Sequence, residues 1–338
     1  MTVQSTVTAL SRTALLGGTA SPLSTDPELG EDTEPADAST VVRTLSGQLN
    51  QRPEGMDRWS RLDRYGRLLA RLGDLALDRS RMHSGPMSGL YVTSRYSCLE
   101  TNTTFDRGVI EKGPRLASPF LFPSTLPGSA ASEVAMQFDL GGPYLVLPGG
   151  PATALVSLVA AVDLLAQTEC RVLVASADVL GPATIRSLRD EGDAVSDHPV
   201  LAEAGAALWL GQHNDPSPGP RLRIEAAIGG PGLEGDSWAK LLEEALQRAS
   251  VPADAVHVAI TATANPAATK VESGAVDAVL GERRAELMRL AWRCGDAGAT
   301  LGLLAVGAAL EENEPALVTA ADRGGSVALV IAPCGPSQ

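Results

Sequence analysis

Apolar positions along this chain switch repeatedly between strand-like and helix-like spacing. Val7–Leu16 is apolar and runs into Gly17-Gly18 and Ser21-Pro22, which predicts a short strand and a turn. Residues 24–39 are acidic and rich in turn formers, the pattern of a mobile loop. From Val41 to Leu77 the period is helical, with a break near Pro53-Glu54-Gly55; Leu62, Leu68, Leu69, Leu72 and Leu75 share an apolar face. Gly89–Ser94 reads as a buried strand, and a helix follows from about Thr101. Prolines at 114, 119, 123 and 127 make residues 114–128 an irregular connector. Next come a helix over Ser129–Phe138 ended by Gly141-Gly142-Pro143, a strand over Tyr144–Leu147, the turn Pro148-Gly149-Gly150-Pro151, an apolar helix over Ala152–Leu165 and a strand over Arg171–Ala177.

A second half begins near residue 200. Ala204–Leu210, Leu222–Ile228 and Ala255–Ile260 read as strands, with a helix over Trp238–Ala249. Helices are expected over about 273–292 and 298–310, and strands over Pro315–Thr319 and Gly325–Ile331. This alternation predicts an α/β chain whose helices cover both faces of mostly parallel sheets. It divides into two similar halves, 1–180 and 200–338.

Composition narrows the picture. Aromatics make up only 4% of the 338 residues while Ala, Gly, Val and Leu abound, which suits tight helix-on-sheet layers. A net charge of -13 argues against nucleic acid or an anionic membrane as partner. Arg58, Arg61, Arg64, Arg67 and Arg71 line one side of a helix; the simple reading is a solvated face. Cys98, Cys170, Cys294 and Cys334 form no CxxC pair, so neither a zinc site nor a disulfide framework is expected. With no signal-peptide pattern and no long uncharged apolar run, the expectation is a reduced, cytoplasmic protein without a cofactor.

Three stretches carry a resemblance: Glu111-Lys112-Gly113-Pro114-Arg115-Leu116-Ala117-Ser118-Pro119, then Phe122-Pro123-Ser124-Thr125, then Leu140-Gly141-Gly142-Pro143. In order and spacing the run Gly89–Ala177 resembles the N-terminal half of β-ketoacyl synthases. Thr13–Leu23 looks like that family's opening strand and turn, and Ala320–Leu329 like its closing Gly-Gly turn and strand. The resemblance implies a thiolase-like fold, two similar α/β halves in an αβαβα stack. Condensation in that family needs a cysteine thiolate at a helix N-terminus and two histidines that stabilise the developing charge. The cysteine position falls on Pro151, which has no nucleophile yet suits the first turn of a helix. The histidine positions fall in Thr261–Pro266 and Gly295–Thr300, and neither stretch contains histidine. His83, His198, His213 and His257 lie elsewhere; His257 reads as structural and His83 as part of a turn.

Ketosynthase-like chains without the cysteine include the chain length factors of type II polyketide synthases. That resemblance implies a heterodimer with an active ketosynthase and access to acyl carrier protein through the complex. It further implies gating positions at Leu99, Asn102 and Asp106, spaced to share one helical face, with Tyr96 and Leu121 lining or closing an acyl tunnel. Asn102 would hold the Asp106 carboxylate; the bland alternative makes Asp106 a surface acid near the start of a helix. Leu99–Asp106 resembles the highly reducing subgroup, and proline in place of glutamine at 151 departs from the aromatic one. Two competing readings stay open: an acyltransferase or hydrolase using Cys98 or Cys294 as replacement nucleophile, and an inactive homodimeric scaffold.

Overall fold

The computed structural model describes residues 6–16, 41–77, 87–190, 200–215, 219–281, 286–312 and 314–334. The turn at 17–22, the acidic segment 24–39, His83 and His198 lie outside them. The first elements are β1 (Thr6–Leu16), β2 (Val41–Arg43), α1 (Ser46–Asn50), α2 (Arg64–Ala76), β3 (Met87–Ser94), α3 (Leu99–Lys112), α4 (Pro127–Gln137) and β4 (Tyr144–Pro148). Then follow α5 (Pro151–Leu165), β5 (Cys170–Asp178), α6 (Pro182–Asp190), β6 (Val200–Ala202), β7 (Ala204–Gln212) and β8 (Arg221–Gly229). The chain closes with α7 (Gly235–Ala249), β9 (Val258–Thr261), α8 (Pro266–Leu280), β10 (Glu286–Arg289), α9 (Leu290–Cys294), α10 (Thr300–Ala309), β11 (Ala316–Asp322) and β12 (Gly325–Pro333).

Ten strands form one sheet in the order β10-β9-β11-β12-β8-β1-β7-β5-β3-β4. Read outward from the β8/β1 junction, each set of five repeats the same succession: first, fifth, fourth, second and third strand in chain order. The two sets meet where Thr6–Thr8 pairs with Arg221–Arg223. Only the outer three strands of each set run parallel; five of the nine pairings are antiparallel, so the sheet is mixed rather than mostly parallel. The reason is local: Asp322–Gly325 turns β11 straight back into β12 with no crossover helix. A boundary near residue 200 would give β7 to the second half, yet its sheet neighbours are β1 and β5, so it completes the first set.

The helices make the layers. α5 and α10 are apolar on almost every side and lie between the two sets of strands, packed on Val172, Val174 and Leu208 of one and Ile260, Val318 and Leu329 of the other. They approach so closely that a Cβ at Gly302 would stand 2.4 Å from the Pro151 carbonyl oxygen. The amphipathic α2 and α4 cover the outer face of the first set, and α7 and α8 that of the second. This is the αβαβα stack the resemblance implies.

Several expectations need correction. The helical period from Val41 resolves into β2, α1, a 3₁₀ turn at Trp59–Arg61, and α2, whose start is fixed by Asp63 accepting from the Gly66 N–H. Val41–Arg43 is a strand because it pairs with β6, a partner far along the chain. Leu62, Leu68, Leu69 and Leu72 are buried, but Leu75 is exposed. The helix expected at 273–292 starts instead at Pro266, capped by Asn265, and ends before Gly281, which takes φ +72°. Glu286–Arg289 then pairs with β9 as a strand.

Candidate functional site

β4 delivers the chain to Pro148-Gly149-Gly150-Pro151, and the Gly149 N–H donates to the Ser94 carbonyl at 3.0 Å, tying this turn to the end of β3. Pro151 is buried and is the first residue of α5, behind an N-cap at Gly150. A cavity of about 950 Å³ opens there. Arg95, Asn265, Asp322 and Arg323 supply its polar lining, and Leu233, Trp238 and Val271 part of its apolar wall.

Asp322 reaches this spot from the β11–β12 turn. One carboxylate oxygen accepts from the Thr153 N–H at 3.0 Å and from the Thr153 hydroxyl at 3.1 Å. The other accepts from the Gly324 and Gly325 N–H groups at 2.7 and 3.2 Å. At the first expected histidine stretch the chain offers only neutral side chains. Asn265 Oδ1 accepts from the Ala268 N–H to start α8, and the Thr263 hydroxyl accepts from the Ala321 N–H. Glu272, one face deeper on α8, is fully buried; burial pushes its carboxyl up to about 7. The hydroxyls of Thr263 and Thr319 offset part of that, though neither closes a hydrogen bond of ordinary geometry with it.

The second stretch is held by another buried acid. Asp178 accepts from the Ser94 hydroxyl and from the Arg95, Tyr96 and Ala299 N–H groups, at 2.7 to 3.0 Å. Burial raises its carboxyl to about 6, and those four donors work against the rise. Asp178 thereby clamps the β3–α3 loop to the start of α10. Neither Asp178 nor Glu272 was singled out from the sequence, because each matters through contacts distant along the chain.

Neither candidate nucleophile lines the cavity. The Cys98 thiol is buried and donates to the Thr125 carbonyl at 3.1 Å. Cys294 is buried against the Leu290 carbonyl, and burial pushes its thiol up to about 12.

The tunnel candidates separate into two groups. Tyr96 is buried, and Leu99 packs on a small cluster of Leu180, Leu188 and Leu201. Asn102 is half-buried on the same helix, with its carbonyl oxygen buried and unpartnered. Asp106 and Leu121 are exposed. No hydrogen bond among the described residues joins Asn102 to Asp106. α3 itself is anchored: Glu100 accepts from the Ala183 and Thr184 N–H groups, and the Thr101 hydroxyl donates to Asp63.

Beyond α3 lies an apolar surface. Ile110, Leu116, Phe120, Phe122, Leu126, Met136 and Tyr144 are all exposed, Phe120 at 90%. Tyr144 starts β4 and Met136 lies on α4, which packs against that strand; among the described residues β4 has β3 on one side and no strand on the other. The expected single row of arginines is broken, since Arg58 and Arg61 belong to the 3₁₀ turn before α2, and it is no free face: Arg58 pairs with Glu133, Arg64 with buried Glu203 and Arg71 with Asp74, while Arg67 lies over the Trp59 ring. No helix among the described residues is long and apolar enough to cross a membrane.

Residues 47–207 match the family model described as the β-ketoacyl synthase N-terminal domain. That segment belongs to the β-ketoacyl synthase family. Among curated proteins, 3-oxoacyl-[acyl-carrier-protein] synthase 2 of Vibrio cholerae is 24% identical over 225 residues, 57% of this chain and 54% of that one. The chain thus spans about half the length of the curated relatives it matches. Among solved structures, the ishigamide ketosynthase/chain length factor superposes with a TM-score of 0.73 at 24% identity, covering 87% of each chain. A type II polyketide synthase acyl-carrier protein in complex with its ketosynthase gives 0.74 at 15% identity, covering 97% of this chain and 99% of that one. These likenesses establish the ketosynthase fold across nearly the whole chain.

Proposed function

We propose that this chain is a non-condensing ketosynthase-like subunit, a chain length factor that pairs with an active β-ketoacyl-ACP synthase and shapes its acyl tunnel in polyketide or polyene biosynthesis. Pro151 at the first turn of α5 carries the reading. It keeps the fold's central helix and removes the group that would hold an acyl chain. The exposed apolar side chains between Ile110 and Tyr144, with the open edge of β4, support a pairing role, since such surface is a liability on a free monomer. Likeness to a ketosynthase/chain length factor structure adds to it. Leu99, Asn102, Asp106, Tyr96 and Leu121 are the residues assigned to the tunnel.

The experiment has two arms. Intact-mass analysis after incubation with an acyl thioester should show no hydroxylamine-labile adduct. Co-expression with an intact ketosynthase encoded beside it should yield a stoichiometric complex. A stoichiometric adduct on Cys98 or Cys294 would favour the replacement-nucleophile reading instead. The burial of both thiols against backbone carbonyls speaks against that outcome.

A further inference from the structure

The N-terminus of a helix attracts an anion through its free N–H groups and its dipole. At the N-terminus of α5 that anion is already built in. Asp322 takes the Thr153 N–H with one oxygen and the turn's Gly324 and Gly325 N–H groups with the other. The chain makes room for it. A Cβ at Gly150 would lie 2.8 Å from the Asp322 Cβ, and one at Gly149 would lie 2.1 Å from the Thr153 hydroxyl oxygen. Both glycines of the turn are therefore explained by the Asp322–Thr153 contact, without an incoming ligand.

We propose that Asp322 is a specificity-determining residue of the cavity at Pro151: its carboxylate occupies the anion seat of α5 and turns thiolates, oxyanions and carboxylates away from that end. Like charges sharing one site suppress the second ionisation. The site is thus altered twice over. Pro151 lacks the nucleophile, and Asp322 opposes at the helix end the field that would activate one, with Arg95 and Arg323 the cations elsewhere on the same cavity wall. This holds whether or not the chain pairs with a ketosynthase, because it concerns only the field at one helix end.

A thiol placed at the seat reads that field directly. Pro151→Cys is prepared in the full chain, alone and combined with Asp322→Asn. Alkylation of residue 151 by iodoacetamide is followed against pH by peptide mass, with wild type giving the background of the native cysteines. With Asp322 intact the rate midpoint should lie at or above the ordinary thiol value of about 8.5. Adding Asp322→Asn should lower it by about one unit or more, a roughly tenfold gain in thiolate at neutral pH. If the second substitution does not fold, Asp322→Ser keeps a neutral cap and should give the same shift. Coincident midpoints with and without Asp322, or a midpoint already depressed in the single variant, would overturn the proposal.

Discussion

Glu272 shows what a single buried carboxyl does to this chain. Its folded value, about 7, stands above the ordinary 4.5. The stability linked to it is therefore fully present below about pH 4.5 and is lost as pH rises through about 7. Asp178, raised to about 6, acts in the same direction over a lower window. Glu272→Gln should remove the larger part of this dependence. The variant should be more stable than wild type at pH 8, by up to about 3 kcal/mol, with the gain shrinking towards pH 5. Melting curves at the two pH values test this; an equal shift at both would mean that the carboxyl does not titrate in the window. Asp106 lies at the opposite extreme, an exposed acid that only a partner would bury. With a reconstituted complex, Asp106→Ala should lengthen the product or broaden its distribution, and Asp106→Asn should isolate the charge. Asp106→Leu should shorten the product if volume governs. Wild-type products from all three would make Asp106 a surface acid.

At the scale of elements, periodicity announced what packs locally and missed what is paired at a distance. β3, β5, α5 and α7 were legible because their own residues carry the signal: short apolar runs such as Leu90–Val92 and Val172–Ala175 in the buried strands, a predominantly apolar α5, and an amphipathic stripe in α7. β2 and β10 were not, since each is short and becomes a strand only beside β6 or β9. Within the candidate site, Pro151 was legible because it stands where the ketosynthase pattern of turn and helix has its cysteine. Asp322 was not, because the Thr153 it caps is 169 residues away. The α5–α10 contact gives this scale its own test. Gly302 faces the Pro151 carbonyl at a distance no Cβ tolerates, so Gly302→Ala must spread the two central helices. A loss of about 1–3 kcal/mol is expected from the denaturant midpoint. An unchanged midpoint would mean that the helices are not held at this separation.

At the scale of the whole molecule, the ten-stranded sheet ends in two unlike edges. Both end strands are short, but β10 begins and ends on charged residues, Glu286 and Arg289, and charge on an edge strand resists pairing with other chains. β4 ends the other side among the described residues, with Tyr144 exposed on it and Met136 exposed on α4, which packs against it. An edge of open backbone groups with exposed apolar side chains such as Tyr144 and Met136 beside it is suited to strand pairing with a second subunit, so that two sheets join into one. If the partner is a ketosynthase, adding it should slow amide exchange at 144–148 and across 120–126, while exchange in β10 stays as it was. Phe120→Glu should then weaken the complex by at least tenfold and leave the melting temperature of the chain alone nearly unchanged, because that ring has almost no contacts to lose within its own chain. Expressed without a partner, the wild-type chain should self-associate through the same edge, and Phe120→Glu should relieve it. A well-behaved wild-type monomer, or a complex that forms while exchange at 144–148 continues unslowed, would put the interface elsewhere and leave the apolar surface without a role in pairing.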